Sequence, residues 1–342
     1  MKIGILTFHN SRNYGAVMQA YALVQALEAI GYYAEVIDYK CDKIQEDLDS
    51  MLRKGNVIKK AFYLKKKVEF DSFNLKYLNL STLGKKSVQE KFKEYDVLIA
   101  GSDQVWNKSI TASDDVYFLK GVHQYKIAYA ASCGDNVNLT EQDANTIKSF
   151  DSVSVREQTL QKALKSLGVE SVTVCDPTIL AGNKAFEQFS MPRLCKQKYV
   201  FIFMIWKSKR LVENATRFAE TKGLKVISNK GCLNFLFHSK PSDFVSWIAN
   251  AEYVFTNSFH GTVFSLLFHK PFISSIVRPD NKSNTRVNEL LTSVGCTNNI
   301  MINEAQQVEL IDMPDYESVD EILGLMQLRG KKFLEDAFSK LH

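Results

Sequence analysis

Short apolar runs alternate with longer segments of helical periodicity along most of the chain, and this alternation limits the possible folds more than any other feature. The runs are four to eight residues long and rich in Val, Ile, Phe and Tyr, as buried strands are. Strands that alternate with helices form βαβ units, in which the strands are parallel and helices cover both faces of the sheet. The sequence therefore predicts an α/β fold.

The predicted strands fall into two groups, separated by Pro192 and a polar stretch at 195–198. The first group comprises residues 2–8, 34–38, 95–100, 126–130, 152–155 and 172–175, and the second comprises residues 199–205, 224–228, 253–255 and 272–277. A chain of 342 residues also suits two domains. We therefore expect an N-terminal Rossmann-like domain at 1–190 and a C-terminal one at 191–342, facing a cleft, with the last helix (320–341) packing across either half.

Residues 41–94 fit this rhythm poorly and are predicted to be a helical, basic insertion in the N-terminal domain. Between Arg53 and Lys67 the chain has seven Lys or Arg and no acidic residue, interleaved with apolar side chains. One interpretation is a basic amphipathic helix that makes peripheral contact with an anionic membrane. The more usual alternative is a solvated helix whose apolar side packs on its own domain.

The composition argues against several functional classes. A net charge of +5, from 43 basic and 38 acidic residues, is too small an excess to indicate nucleic-acid binding. The six cysteines show no CxxC spacing, so we expect free thiols in a reducing compartment and no metal site. No apolar run approaches the length of a membrane span or a leader peptide. We therefore expect a cytoplasmic protein.

In open parallel sheets, ligands bind beyond the carboxyl ends of the strands, so the residues that follow each predicted strand are candidates for a site. Asn13-Tyr14-Gly15 opens a helix whose N-terminus suits an anion, although Asn13 is equally explained as the helix N-cap. Gly101-Ser102-Asp103 places a carboxylate after a glycine turn. Asp103 either holds a sugar hydroxyl, acts as a base, or caps the next segment.

Arg156 and His260 are the strongest single candidates. The guanidinium of Arg156 either binds a carboxylate or phosphate or pairs with Glu157 or another acid. Ser258-Phe259-His260-Gly261 follows a buried strand and precedes a helix predicted at 262–269. A histidine there suits general acid–base catalysis, and the alternative is a structural histidine at the helix start.

Arg278 and Arg286 flank a polar loop at 279–285. This loop either closes over a charged ligand or is simply solvated.

The order of these motifs resembles that of the polysaccharide pyruvyl transferase family, over most of the chain from Lys2 to about Gly295. The matching segments are NYGAVMQAYAL from Asn13, YDVLIAGSDQVWN from Tyr95, YAASCG from Tyr129, VSVRE from Val153, DPTIL from Asp176, TNSFHGTVFSLLFHKPF from Thr256 and TRVNELLTSVG from Thr285. Several motifs in one order are a far more specific signal than any one of them.

The resemblance implies two Rossmann-like domains arranged as in GT-B glycosyltransferases. It implies phosphoenolpyruvate as the donor substrate, with no separate cofactor, and a saccharide acceptor, which is lipid-linked if synthesis takes place at the inner face of the membrane. The product is a cyclic pyruvate ketal of a capsule or exopolysaccharide. The active-site histidine and arginine of the family map to His260 and Arg156.

The sequence departs from the family pattern at two positions. Some members carry an arginine where this chain has Ser258, so an anion contact is expected from Arg278 or Arg286 instead. Cys133 stands where an aromatic residue is usual, and we expect this to alter packing only.

The mechanistic hypothesis assigns proton transfer to His260 and the anions of the donor to Arg156 and the helix opening at Gly15. Asp103 and Asn13 would position the acceptor. The remaining residues expected to bind substrate are Tyr14, Gly101, Ser102, Ser258, Gly261, Arg278 and Arg286.

Two other functions fit the same fold class. One is a GT-B glycosyltransferase that uses a nucleotide sugar, and the other is a non-catalytic saccharide-binding protein. The presence of Arg156 and His260 in their motifs argues against the second alternative.

Overall fold

The computed structural model describes residues 1–54, 56–280, 283–303 and 306–341, without the side chains of residues 51, 52 and 54. The chain forms two compact units: unit 1 contains Met1–Ala181 and Met326–His342, and unit 2 contains Gly182–Leu325. The division thus lies after residue 181, where the sequence suggested 190. The intervening residues belong to unit 2 because the Phe186 ring packs on Phe264, with centroids 4.8 Å apart.

Unit 1 is built on a parallel seven-stranded sheet. Its strands are β1 (Ile3–Leu6), β2 (Ala34–Ile37), β3 (Leu80–Ser81), β4 (Val97–Ala100), β5 (Tyr125–Ala131), β6 (Ser152–Val155) and β7 (Val172–Thr173). Their order is β3-β2-β1-β4-β5-β6-β7. Ile5 lies opposite Val36 on one side and Ile99 on the other. The first six strands follow the order of the dinucleotide-binding Rossmann fold.

The helices of unit 1 cover this sheet. They are α1 (Tyr14–Ala29), α2 (Asp42–Lys54), α3 (Val57–Tyr77), α4 (Val88–Phe92), α5 (Lys108–Thr111), α6 (Glu141–Ile147), α7 (Gln158–Ser166) and α8 (Pro177–Ala181). Helix α1 is apolar on nearly every side and is buried along most of its length. A helix of this kind needs neighbours on more than one side.

The predicted insertion at 41–94 supplies one of those neighbours. It contains α2, α3 and α4, as expected, and also the short strand β3, which the sequence pattern did not reveal. Helix α3 lies over α1 through aromatic pairs. The ring centroids are 5.0 Å apart for Tyr14 and Phe70, and 6.2 Å apart for Tyr21 and Phe73.

Unit 2 has a parallel five-stranded sheet. Its strands are β8 (Tyr199–Phe203), β9 (Lys225–Ser228), β10 (Tyr253–Thr256), β11 (Phe272–Ser275) and β12 (Ile300–Met301), in the order β12-β11-β10-β8-β9. Its helices are α9 (Lys209–Thr221), α10 (Leu233–Phe237), α11 (Pro241–Ala249), α12 (Phe259–Leu267) and α13 (Thr285–Ser293). Counted within the unit, the strand order is 2-1-3-4-5, the other common order of doubly wound sheets.

The last helix, α14 (Tyr316–Ser339), begins in unit 2 and ends in unit 1. Near its start, the Tyr316 hydroxyl donates to the Lys270 carbonyl at 2.5 Å. Near its end, the Phe338 ring stacks on Tyr32 with centroids 4.1 Å apart.

The predicted α/β fold class with two Rossmann-like domains is confirmed by the two parallel sheets and their strand orders. Each sheet has a switch point, where the chain leaves two neighbouring strands in opposite directions. It lies between β1 and β4 in unit 1, and between β8 and β10 in unit 2. Ligands of such sheets bind at the carboxyl ends of the strands at this point.

No helix in the described part of the chain has both the length and the apolar composition that crossing a bilayer requires.

Candidate functional site

At the switch point of unit 1, the loop after β1 meets the turn after β4. Asn13 is the N-cap of α1, and its side-chain oxygen accepts from the Gly15 N–H at 3.0 Å. A Cβ atom at Gly101 would lie 2.9 Å from the Cβ of Thr7, so only glycine fits against β1 here. Asp103 has a φ of 75°, in the left-handed region, and its carboxylate accepts from the Gln104 N–H at 2.8 Å.

A pocket of about 190 Å³ opens at this point. Its walls come from the loop after β1, the turn after β4, α5 and the insertion helix α2. The apolar lining residues are Phe8, Ile44, Leu48 and Ile110, and the polar ones are Ser11, Asn13, Asp47, Asp103 and Gln104. Mixed apolar and polar walls of this kind bind small polar molecules.

The loop after β1 also holds buried polar atoms that have no hydrogen-bond partner among the described residues. They include the Asn10 amide nitrogen, the Ser11 hydroxyl and the Arg12 Nη1 atom. Buried polar groups are normally paired, so such a group needs a specific explanation. A site that binds the oxygens of a ligand supplies one.

Arg156 lies at the carboxyl end of β6, in a buried network of charged groups. Its Nε donates to Glu157 at 2.9 Å, its Nη1 to Asp176 at 2.8 Å and its Nη2 to the Ser132 hydroxyl at 3.1 Å. The side chains of all three charged residues are at most 4% exposed. Burial acts to lower the pKa of Arg156, but Glu157 and Asp176 outweigh it and hold that pKa above its ordinary value.

This arrangement is the ion-pair alternative considered for Arg156 from the sequence. The network extends to Ser102, whose hydroxyl donates to Asp176 at 3.3 Å. The other oxygen of Asp176 accepts from the Thr178 hydroxyl at 2.7 Å. Glu157 and Asp176 were not among the predicted site residues, although Glu157 lies just after β6 in VSVRE and Asp176 lies after β7 in DPTIL.

Tyr14 serves the packing of α1 on α3. Besides its contact with Phe70, its ring has the Lys66 ammonium 4.4 Å from its centroid. The structure therefore gives Tyr14 a packing contact at the start of α1, next to the pocket residue Asn13. A role in substrate binding stays a prediction for Tyr14 and Gly15.

At the switch point of unit 2, the motif from Ser258 to Gly261 forms the start of α12. Ser258 is the N-cap, and its hydroxyl accepts from the Gly261 N–H at 3.2 Å. A Cβ atom at Gly261 would collide with the Thr256 hydroxyl and lie 3.3 Å from the Phe203 ring. Glycine is therefore required for α12 to start so close to β10 and β8.

His260 and Arg286 meet at one aromatic ring. His260 is 7% exposed, and its ring packs edge-on against Phe259 with centroids 5.3 Å apart. The guanidinium of Arg286, in the first turn of α13, lies 5.9 Å from the centroid of the same ring. The two side chains thus contact the same ring, at the carboxyl ends of the strands.

Arg278 lies at the same edge, beyond β11. Its guanidinium is 5.7 Å from the Trp206 ring, and its Nε donates to Asp280 at 3.1 Å. Trp206 follows β8 and is tied to the end of β10, because the Asn257 amide donates to its carbonyl at 2.9 Å. Residues 281 and 282 of the adjacent loop lie outside the described residues.

The structure therefore places the predicted site residues in two groups. The group in unit 1 comprises Asn13, Tyr14, Gly15, Gly101, Ser102, Asp103 and Arg156, and the group in unit 2 comprises Ser258, His260, Gly261, Arg278 and Arg286. Sequence reasoning missed Trp206 and Asn257, although both directly follow buried strands, and it missed the α2 wall of the pocket.

Two doubly wound α/β units with polar groups at both switch points define a Rossmann-like ligand-binding protein. A sequence profile of the polysaccharide pyruvyl transferase family matches residues 13–278, which include every predicted site residue except Arg286. The chain belongs to the polysaccharide pyruvyl transferase family. Membership implies a transferase that acts on polysaccharides.

The chain also resembles solved structures at low sequence identity. UDP-GlcNAc 2-epimerase from Methanocaldococcus jannaschii is 12% identical with a TM-score of 0.48, over 96% of this chain and 93% of that one. MnaA of S. aureus, solved with UDP, is 12% identical with a TM-score of 0.49, over 98% and 91%. Anabaena HepE, solved with UDP-glucose, is 13% identical with a TM-score of 0.45, over 100% and 99%.

A search of curated proteins gives no significant match. The fold assignment rests on the strand orders of the two sheets, and the family assignment rests on the profile match.

Proposed function

We propose that the protein transfers a pyruvyl group from phosphoenolpyruvate to a saccharide and forms a cyclic ketal in the synthesis of a surface polysaccharide. The family supports a transferase that acts on polysaccharides. The observation that supports pyruvyl transfer is the position of His260 in the first turn of α12, at a switch point. Arg286 contacts the same aromatic ring as His260.

The reaction needs two kinds of group. A proton must be added to the methylene carbon of phosphoenolpyruvate, which makes the neighbouring carbon electrophilic. One sugar hydroxyl then adds to that carbon and loses its proton. The bond between this carbon and the phosphate oxygen breaks, and the phosphate leaves as hydrogen phosphate. A second hydroxyl adds to the same carbon, loses its own proton and closes the ketal ring. The enzyme must therefore supply a proton donor and acceptor, together with cations for a carboxylate and a phosphate.

His260 is the proposed proton donor and acceptor. A histidine side chain exchanges protons near neutral pH, and such a group typically contributes about 10²–10⁴-fold to a rate. Its burial and its contact with Phe259 fix the orientation of the ring. A fixed ring can direct its proton at one carbon atom.

Arg286 and Arg278 are the proposed partners of the donor's charged groups. Both lie at the same sheet edge as His260, and an arginine fork matches a carboxylate or phosphate oxygen pair. This assignment supplies the anion contact that some family members place at the position of Ser258. With this assignment Arg156 need not bind an anion of the donor, which its pairing with two carboxylates would make difficult.

Arg156 remains a predicted donor contact through the family resemblance alone. Its three nitrogens already donate to neighbours in unit 1, and Asp103, Glu157 and Asp176 all add negative charge around it. A further anion there would face three carboxylates and a single arginine. Its proposed role is therefore to hold the carboxyl ends of β4, β5 and β6 in place.

The saccharide acceptor is proposed to bind in the pocket of unit 1. The volume of 190 Å³ equals roughly six water molecules at about 30 Å³ each, which suits one sugar ring and not a chain. Carboxylates and amides at Asn13, Asp47, Asp103 and Gln104 can accept or donate to hydroxyls, and the apolar residues can contact the ring face. Asp103 is the proposed acceptor of the proton that a hydroxyl releases.

Thermal unfolding with phosphoenolpyruvate, inorganic phosphate, a UDP-sugar and a GDP-sugar tests the donor assignment. At a hundred times its dissociation constant, a ligand stabilises the protein by about 2.7 kcal/mol. We expect this shift with phosphoenolpyruvate, and its loss in Arg286→Ala. The matched control is Arg210→Ala, at a partly exposed arginine of α9 that pairs with Glu213.

Two results would contradict the proposal. One is a shift with a sugar nucleotide and none with phosphoenolpyruvate, which would indicate a glycosyltransferase. The other is a phosphoenolpyruvate shift that survives in the double variant Arg278→Ala/Arg286→Ala, which would place the donor elsewhere.

A further inference from the structure

Helix α3 has two apolar faces, and only one of them is used inside unit 1. Its aromatic side chains face α1 and α2. Phe70 and Phe73 are buried against Tyr14 and Tyr21, and the Tyr63 hydroxyl donates to the Leu48 carbonyl at 2.5 Å. This face accounts for the packing of the insertion on its own domain.

The other face is a stripe of aliphatic side chains that reach solvent. Its members are spaced by three, four or seven residues, so they lie along one side of the helix, and they are Val57, Ala61, Leu64, Val68 and Leu75. The exposed fractions are 83% for Val57, 50% for Leu64, 63% for Val68 and 72% for Leu75. Ile58, beside the stripe, is 67% exposed. Scattered exposed apolar residues are ordinary, but a continuous row along a helix indicates an interaction surface.

The charges around this stripe are positive. Lys60 flanks the stripe and Lys59 lies on the opposite side of the first turn. Both are exposed, and no ion pair joins either of them to a described residue. Further along, Lys65 pairs with Glu69, and Lys67 pairs with Asp71 at 2.7 Å. The acidic residues of α3 thus balance the lysines at the centre of the helix and leave the N-terminal lysines uncompensated.

We propose that the α3 stripe (Val57, Ala61, Leu64 and Val68, with Ile58 and Lys60 beside it) docks on an anionic lipid surface. A helix that lies in a membrane interface combines an aliphatic face with flanking lysines, which is the combination seen here. The 21 residues of α3 extend about 32 Å, so the stripe can lie along the membrane plane. The uncompensated lysines favour a lipid surface as the binding partner over an apolar protein, because anionic headgroups supply the complementary charge.

Docking of this kind would keep unit 1, and the pocket at its switch point, next to a membrane. The inference stands on α3 alone and does not depend on the identity of the donor. If the acceptor is lipid-linked, the same contact would bring enzyme and acceptor together.

Co-sedimentation of the full chain with vesicles tests the proposal. We expect binding to equimolar phosphatidylcholine and phosphatidylglycerol, little binding to phosphatidylcholine alone, and weaker binding as salt is raised. Each lysine near the surface is worth about a fivefold change in affinity, so Lys60→Gln, beside the stripe, should bind about fivefold more weakly, and Lys59→Gln, on the opposite side of the helix, should change the affinity less.

The aliphatic part of the stripe is tested by Leu64→Glu. The matched control is Leu325→Glu, at a leucine of α14 that is 64% exposed. We expect Leu64→Glu to lose vesicle binding and Leu325→Glu to retain it, with both variants as stable as the parent because both sites are solvent-exposed. Equal binding of the two variants, or equal binding to neutral and anionic vesicles, would overturn the proposal.

Sedimentation velocity excludes the competing occupant, a second copy of the chain. If the parent protein is a dimer that Leu64→Glu converts to a monomer, the stripe is a subunit interface and the membrane proposal is wrong. An oligomeric state that is the same in both proteins supports it.

Discussion

Replacement of Arg156 by methionine separates a structural role for this residue from a catalytic one. The arginine pairs with both Glu157 and Asp176, and both carboxylates are at most 2% exposed. Arg156→Met fills much of the same space but leaves two buried negative charges without their partner. Removal of one partner from a buried ion pair costs about 3–5 kcal/mol. We therefore expect a loss of about this size in the free energy of unfolding.

The effect is measured by thermal and urea unfolding. For a unit of about 200 residues, each kcal/mol corresponds to about 2–4 °C, so the melting temperature of unit 1 should fall by about 6–20 °C. The control is Arg210→Met, which breaks a partly exposed pair with Glu213 and should cost less than about 1 kcal/mol.

A second substitution tests whether the unpaired carboxylates cause this loss. The double variant Arg156→Met/Glu157→Gln should recover part of the loss, because one of the two orphaned charges is gone. A variant Arg156→Met that melts with the parent protein and yet has no activity would refute the reasoning.

Three further predictions follow from single positions. Gly261→Ala should lower stability by about 1–3 kcal/mol because its methyl group would collide with a threonine hydroxyl, whereas Gly324→Ala, with open space around it, should be neutral or slightly stabilising in the same unfolding assay. Burial acts to raise the pKa of Asp38, but its hydrogen bond to His9 and the charge of Lys40 outweigh burial and hold that pKa below its ordinary value. The stability that Asp38 contributes is therefore present above the unfolded pKa of about 3.9 and is lost as the pH falls through the lower folded pKa. The difference in the free energy of unfolding between the parent and Asp38→Asn should narrow over that range. Cys232 is the one cysteine that is not buried, so a thiol reagent should modify one site quickly in the native protein, and this fast phase should vanish in Cys232→Ser.

The strands of both sheets could be predicted because their burial leaves a direct record in the sequence. Residues 152–155 were predicted as a strand and form β6 with the same bounds. The two-residue edge strands β3 and β12 were missed, whereas β7, which is equally short, was found because it lies in the longer apolar run 172–175. Two residues carry no periodicity, and their pairing depends on the neighbouring strand.

The presence of a helix could be predicted more reliably than its first residue. Helix α12 was expected from residue 262 and begins at Phe259, because Ser258 caps it. The apolar pattern alone could not show that the first turn contains His260. The cap is a local hydrogen bond whose signal is a single serine, and the motif resemblance was needed to give that turn a function.

The candidate residues could be placed from the sequence, because each follows a strand, but their roles stay predictions. Asn13 and Asp103 lie at the switch point of unit 1, His260 lies at that of unit 2, and Arg156 lies at the end of β6. The partners of Arg156 could not be ranked from the sequence, because Asp176 is distant in the chain and comes close only when β6 and the segment after β7 lie side by side. The same reason hid the pocket wall formed by α2.

The most direct test of the central claim is pyruvyl transfer itself. Phosphate release from phosphoenolpyruvate is measured with a panel of saccharides, and the pyruvate ketal on the acceptor is identified by mass spectrometry. The account predicts acceptor-dependent release that falls by about 10²–10⁴-fold or more in His260→Ala, with no loss of folded protein, and that persists in His123→Ala, at an exposed histidine of unit 1. Turnover that is unchanged in His260→Ala, or transfer that occurs only with a nucleotide sugar, would contradict it.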